Sequence, residues 1–243
     1  GSPVVTVVGP AGNPMREGTP GFTITTTGFQ PLDFPLQLTL QIATRADFGG
    51  ALLADTSVVG AAAQARIVVP RLLKENMAVW WRARARTAQG TPVFSDASGP
   101  VTTSPWITLI SPNGLNGSTV DTKRPTFLWT AVSTRPPVSP WTFQLFITRA
   151  SDGVQIPVFR SSPLDTVYTS AIDLESNTPY RWSVLGTLST GDTVRVSSQK
   201  NFVIRDPNAF NRHTESLDEH PDLCICGHAP LTDYALCHRF SFV

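Results

Sequence analysis

Residues 1 to 205 contain neither cysteine nor histidine: all three cysteines and all four histidines of the 243-residue chain lie between His213 and His238. Nucleophilic and general-base catalysis usually draws on His, a reactive Cys or a Lys of depressed pKa. Most of the chain is therefore left with Lys74, Lys123 and Lys200 alone. Charge is also scarce, at 15% of residues, with a net charge of +1. No run approaches the roughly 18 apolar residues of a membrane helix, and no charged-then-apolar signal segment opens the chain. Helix signals are missing too. Ala61 to Ala65 is the only helix-like stretch before residue 206, and it is too short to stand alone.

The charge is unevenly spread. Residues 1 to 103 carry 8 basic and 6 acidic groups, residues 104 to 205 carry 9 and 6, and residues 206 to 243 carry 2 and 6. Neither long segment has the clustered positive charge that drives phosphate binding, which argues against nucleic acid as a partner. The cationic residues are 16 Arg and only 3 Lys, a usage that leans towards a GC-rich bacterial genome.

What is present is a repeat. Ser2-Pro3-Val4-Val5-Thr6-Val7-Val8-Gly9-Pro10 returns as Ser104-Pro105-Trp106-Ile107-Thr108-Leu109-Ile110-Ser111-Pro112, at an offset of 102. Phe22 answers to Phe127, and the run Leu36, Leu38, Leu40, Ile42 answers to Trp141, Phe143, Leu145, Ile147, both at 105. Leu73, Val79 and Trp81 answer to Leu174, Tyr180 and Trp182 at 101. Offsets that drift only between apolar runs put the length changes in loops. The alternation itself marks half-buried strands, because successive side chains point to opposite faces of a sheet.

Turns are expected at Asp47-Phe48-Gly49-Gly50, Ala88-Gln89-Gly90, Ser151-Asp152-Gly153 and Ser189-Thr190-Gly191-Asp192. The expected fold class is all-β, with two tandem antiparallel β-sandwich domains of about seven strands each, plus an irregular C-terminal tail. The domains run from 1 to 103 and from 104 to 205, and the tail from 206 to 243. The stretch Ser98-Gly99-Pro100-Val101-Thr102-Thr103-Ser104-Pro105 reads as a semi-rigid linker whose prolines favour extended backbone.

Leu174-Glu175-Ser176-Asn177-Thr178-Pro179-Tyr180-Arg181-Trp182-Ser183-Val184 resembles the fibronectin type III pattern of Leu, Thr, then Tyr entering the sixth strand. Trp129, after Pro125 and Phe127, is similar to that family's second-strand tryptophan. The first module departs from the pattern. Val79 stands for the tyrosine, Asn76 and Met77 for the Pro/Thr turn, and Ile24 for the tryptophan, so a generic immunoglobulin-like sandwich fits it as well. The resemblance implies a binding or spacer role outside the cytoplasm.

Two features are candidates for function. In Trp80-Trp81-Arg82-Ala83-Arg84-Ala85-Arg86 the inward positions are Trp81, Ala83 and Ala85, so Trp80, Arg82, Arg84 and Arg86 line the outer face, with guanidinium groups expected to stack on the exposed indole. That row, with outward Phe146 on the second module, reads either as a solvated strand face or as a protein or glycan contact. In the tail, Cys224, Cys226, His228 and Cys237 supply the ligand types zinc prefers, but at spacings unlike a ribbon or finger. The tail therefore has three open readings: a metal site, a segment docked on the second module or a partner, and a disordered or non-native extension. Asp33, Asp47, Asp55, Asp96, Asp121 and Asp152 lie mostly at turns and read as backbone caps, with a glycosidase-type carboxylate pair as the alternative that no spacing singles out.

These readings favour a non-catalytic protein with no cofactor apart from tail zinc. It would act as a spacer, scaffold or accessory subunit of a cell-envelope assembly, in contact with protein partners and a membrane-associated complex. A carbohydrate-binding accessory module is the alternative, with Trp80, Trp106 and Phe146 as its exposed aromatics. An enzyme using tail-bound metal is a third class.

Overall fold

The computed structural model describes residues 1–113, 119–138, 141–157, 165–196 and 198–205. Its first half contains strands β1 (Val4–Val8), β2 (Gly21–Thr27), β3 (Leu36–Ala43), β4 (Ala54–Gly60), β5 (Gln64–Val68), β6 (Ala78–Arg86), β7 (Val93–Phe94) and β8 (Ser98–Thr102). They form a three-stranded sheet, β1-β2-β5, and a second sheet, β4-β3-β6, in which β7 and β8 both pair with β6. The second half repeats this with β9 (Ile107–Ser111), β10 (Thr119–Val120), β11 (Thr126–Ala131), β12 (Thr142–Arg149), β13 (Gln155–Ile156), β14 (Val167–Thr169), β15 (Pro179–Thr187), β16 (Thr193–Arg195) and β17 (Lys200–Ile204). Its sheets are β9-β11-β14 and β10-β17-β15-β12-β13, with β16 on β15.

Strand pairing is antiparallel throughout these sheets except where β10 runs parallel to β17. The first half has a reduced version of that contact, a parallel bridge from Met15 to Thr103. In both halves the chain leaves its first strand and crosses to the last strand of the opposite sheet. The extra short strands beyond the expected seven arise from this crossing and from the broken last strand.

Alternation decides which faces are buried. Leu36, Leu38, Leu40 and Ile42 are fully buried, as are Leu145, Ile147, Tyr180, Trp182 and Val184. Phe22 meets Trp81 edge-on at 5.5 Å, and their counterparts Phe127 and Trp182 do the same at 5.2 Å. Removing one such tryptophan from water contributes about 4 to 6 kcal/mol before entropy is subtracted. Trp129 packs on Phe143 at 5.6 Å, where the first half has the smaller Ile24.

Two expectations change. Ser98 to Pro105 is not a linker along its whole length, because Ser98–Thr102 is strand β8 of the first sandwich. Its Pro100 is tolerated because a strand whose far edge is unpaired needs no ladder hydrogen bond at that nitrogen. Gln64 and Ala65 begin β5 rather than ending a helical scrap, and Ala61 to Ala63 form a bend. The one helical element among the described residues is a 3-10 turn, Pro31–Asp33. The expected turns at 47–50, 151–153 and 189–192 are present, with positive φ at Phe48, Gly50, Gly153 and Gly191.

The corner before β6 and its counterpart before β15 show the repeat at backbone level. Asn76 and Asn177, 101 residues apart, both adopt φ of 56°, a left-handed conformation that asparagine tolerates. The Leu174 and Asn177 amides donate to Lys123 O and Ile204 O, and the Leu73 and Asn76 amides donate to Gly18 O and Thr103 O. In the second sandwich the Tyr180 hydroxyl accepts the Glu175 amide at 2.9 Å, closing a tyrosine corner. The first has Val79 there, and Thr103 ties the corner instead. Its hydroxyl donates to Lys74 O at 2.7 Å and accepts the Met77 amide at 3.0 Å.

Candidate functional site

The connection between the sandwiches is short and packed. Trp106 is 1% exposed, and its indole Nε1 donates to Leu73 O at 2.7 Å, deep in the corner that Thr103 also ties. The Trp106 amide donates to Glu75 Oε2 at 2.7 Å. Thr103 and Ser104, between the two sandwiches, are themselves buried. Trp106 is thus not an exposed aromatic, as the glycan reading requires. The alternation of Ile107 and Leu109 aims the preceding residue away from its own core, and it is covered there by the first sandwich.

Two arginine–carboxylate forks flank this tryptophan. Arg135 donates through Nε and Nη2 to Glu17 at 2.6 and 2.5 Å, and Arg71 donates through Nε and Nη2 to Asp192 at 2.9 and 2.6 Å. Each sandwich supplies one cation and one anion, and paired N–H···O bonds of this kind fix orientation as well as position. Asp192 also accepts the Leu72 amide and the Thr190 hydroxyl. The Arg135 hydrogen bond holds the Glu17 carboxyl below its ordinary range against the opposing effect of burial. The Arg71 hydrogen bond, followed by those from Thr190 and Leu72, does the same for Asp192. A parallel bridge between Glu17 and Ser133 and a hydrogen bond from the Arg135 amide to Thr19 Oγ1 add backbone contacts. Beside Trp106, between Lys74 and Arg195, lies an open cleft of about 420 Å³.

The second candidate is the outer face of β3 and β6. Register pairs Gln41 with Arg82, Thr39 with Arg84, and Gln37 with Arg86, so the arginines lie over the central strand. Arg82 is held between two rings, 4.3 Å from the centroid of Phe48 and 4.4 Å from that of Phe94. Its Nε donates to Gln41 Oε1 at 2.9 Å. Arg84 Nη2 reaches Thr39 Oγ1 at 3.3 Å, and Thr39 shares a 2.8 Å hydrogen bond with Ser57. Thr39 is 0% and Gln41 6% exposed, so this outward face of a central strand is sealed by the arginines and phenylalanines above it. Burial, with the neighbouring Arg84 charge second, lowers the Arg82 pKa from its ordinary value.

The expected stacking on an indole is corrected by these contacts. Arg82 stacks on phenyl rings, and Trp80, half-buried, lies against Gly99, where an added Cβ would come within 2.9 Å of its Cδ1. Phe146 is half-buried too, covered by the Arg195 guanidinium at 4.7 Å. The partners Phe48, Phe94, Gln41 and Thr39 were not singled out from sequence. The signal available for Phe94 and Arg195 was their common offset of 101.

Asp33, Asp47 and Asp152 cap backbone as expected, accepting the amides of Gln30, Gly49 and Val154. Asp55 does not, because it lies within β4. Among the described residues no three His, Cys, Asp or Glu side chains group as a metal site. Cys224, Cys226, His228 and Cys237 lie outside the described residues. Among the described residues no helix is long and apolar enough to cross a membrane.

No family model and no curated protein matches the chain. Solved structures are similar in part. The fibronectin(III)-like modules of Clostridium thermocellum CbhA match at 15% identity and a TM-score of 0.28, over 85% of this chain and 96% of that one. The chicken CNTN1 FN1-FN3 domains match at 15% and 0.33, over 84% and 66%. The three N-terminal domains of the bacteriophage RB49 Highly Immunogenic Outer Capsid protein match at 13% and 0.38, over 84% and 59%. At these TM-scores the likeness carries nothing about ligand, partner or location. Strand order, the paired left-handed asparagines and the tyrosine corner, all features of this chain itself, make the fold a tandem pair of antiparallel β-sandwiches of the fibronectin type III and immunoglobulin-like kind.

Proposed function

We propose that this chain is a non-catalytic spacer or accessory subunit that acts through protein–protein contacts in a larger extracytoplasmic assembly at a bacterial cell envelope. The observation that carries this reading is the joint. A buried tryptophan and two forked ion pairs hold one sandwich in a set orientation on the next, as a part that fixes the distance between two partners requires. A flexible tether needs none of these contacts. The resemblance of residues 174 to 184 and the arginine-heavy composition support the proposed location.

The reading is tested by chemical crosslinking in intact cells followed by isolation of the crosslinked complex. A defined protein partner in stoichiometric yield is expected, and a chain recovered only as free monomer overturns it. The glycan alternative loses Trp106 to the joint, and Phe146 sits beneath Arg195. Reproducible binding on a saccharide array that disappears in Trp80→Ala would restore that alternative in place of the spacer.

A further inference from the structure

We infer that the outer face of β6 in the first sandwich is a docking surface for an extended acidic peptide segment of a partner protein, one with a carboxylate at every second position. The inference deepens the protein-contact reading above and rests on it.

The first observation is that two of the three arginines, Arg82 and Arg84, are held ready. Phe48 and Phe94 clamp Arg82 on both faces, and the nearly buried Gln41 fixes its Nε, so the guanidinium is immobilised before any ligand arrives. Arg84 is tethered to the buried Thr39, while its own Nε is buried with no hydrogen-bond partner. A group whose rotamers are already fixed loses little entropy on binding.

The second observation is that no carboxylate among the described residues pairs with this charge, although Asp55 shares the face across Gln41 from Arg82. Arg82, Arg84 and Arg86 form no ion pair among the described residues, although seven other arginine–carboxylate contacts are present. Like charges brought together and partly desolvated oppose folding unless an anion joins them.

The third observation is that the fold does not require them. The equivalent face of the second sandwich is built from Phe146 opposite Ser183 and Gln144 opposite Leu185, with Arg195 as the guanidinium above Phe146.

Geometry and surroundings select the occupant. Successive outward residues of a strand are spaced by roughly 6.8 Å, and alternate side chains of an extended peptide repeat at the same distance. Each guanidinium offers a planar fork that fits a carboxylate. The row is bordered by exposed apolar groups, Phe94 at 42% and Val59 at 73%. The methylene stems of Glu side chains that face the row pack on these groups, whereas the hydroxyls of a sulfated polysaccharide do not.

The test uses the full chain and fluorescence anisotropy, with a labelled peptide of about seven residues alternating Glu and Thr. A peptide with Gln for every Glu and a heparin oligosaccharide serve as comparators. The Glu peptide binds, the Gln peptide does not, and added salt weakens the complex. Arg84→Gln and Arg86→Gln each reduce affinity by about tenfold or more. Arg82→Lys, which keeps the charge but loses the clamped fork, reduces it as well. Arg181→Gln on the second sandwich changes nothing, and unfolding midpoints identify any variant that has lost its fold. Heparin binding in preference to the peptide overturns the inference in favour of a sulfated glycan. Binding of neither probe, or binding indifferent to Arg84 and Arg86, also overturns it. These outcomes leave the spacer reading standing, because that reading is judged by crosslinked partners and joint geometry.

Discussion

Trp106→Ala removes the centre of the joint while leaving both sandwich cores intact. The side chain is 1% exposed, so the substitution deletes an indole that is packed on all sides and leaves Leu73 O without its donor. Truncating a buried Trp to Ala costs about 3 to 5 kcal/mol, the spread reflecting how far the surroundings collapse. At about 1.4 kcal/mol per factor of ten, this weakens the coupling between the sandwiches by roughly two to three and a half orders of magnitude. Trp106→Phe keeps most of the apolar contact and loses the N–H, so it should cost only about 1 to 3 kcal/mol, chiefly the unpaired Leu73 carbonyl. The assay is equilibrium urea unfolding of the full chain, with near-ultraviolet circular dichroism and proteolytic susceptibility recorded along the same titration. The parent should unfold in one concerted transition. Trp106→Ala should split it into two, the first sandwich melting earlier because its corner depends on Thr103 and Trp106. A single transition in Trp106→Ala, displaced by less than about 1 kcal/mol, would refute the idea that this residue couples the two halves.

Thr103→Ala unties the first corner, and Tyr180→Phe unties the second. Each should cost about 1 to 3 kcal/mol of stability and raise amide exchange locally, at Met77 and Glu175 respectively, and exchange confined elsewhere would count against the assignment. The joint should loosen in acid. Glu17 and Asp192 are both held below the ordinary carboxylate range, so their contribution is complete above the unfolded-state value of about 4 and is lost as pH falls through their lower folded-state values. A thermal midpoint that declines between about pH 4 and pH 2 in the parent, but less steeply in a Glu17→Gln, Asp192→Asn double variant, is the expected result, and equal slopes would contradict it.

Much of the architecture could be read from the amino-acid order because it follows from periodicity. The runs Leu36 to Ile42 and Trp141 to Ile147 alternate, and alternation has one structural meaning when a single face of a sheet is buried. The paired offsets located loops correctly because insertions are tolerated there and not in strands. The joint was not legible for the same reason: parity along β9 aims Trp106 away from its own core, and only the arrival of the first sandwich turns that position into an interior. Pro100 suggested a linker because proline is rare within paired strands, but an edge leaves room for it.

The arginine face was half legible. Parity put Arg82, Arg84 and Arg86 outward, but Phe48 reaches Arg82 from a loop residue at φ of 55°, and Phe94 from a strand of two residues. Neither is adjacent in sequence, and neither lies in an alternating run. Trp80 is the aromatic nearest to the arginines in the chain, but the register of β8 gives its indole a different neighbour in Gly99.

The central claim is that the joint holds the two sandwiches in one orientation, and the distance between them tests it most directly. Spin labels at Ser57→Cys and Thr122→Cys, with Cys224, Cys226 and Cys237 replaced by serine, place one exposed probe on each sandwich. Pulsed electron–electron resonance should give a single narrow distance distribution that broadens in Trp106→Ala. A broad distribution in the parent, unchanged by the substitution, would mean that the sandwiches move independently.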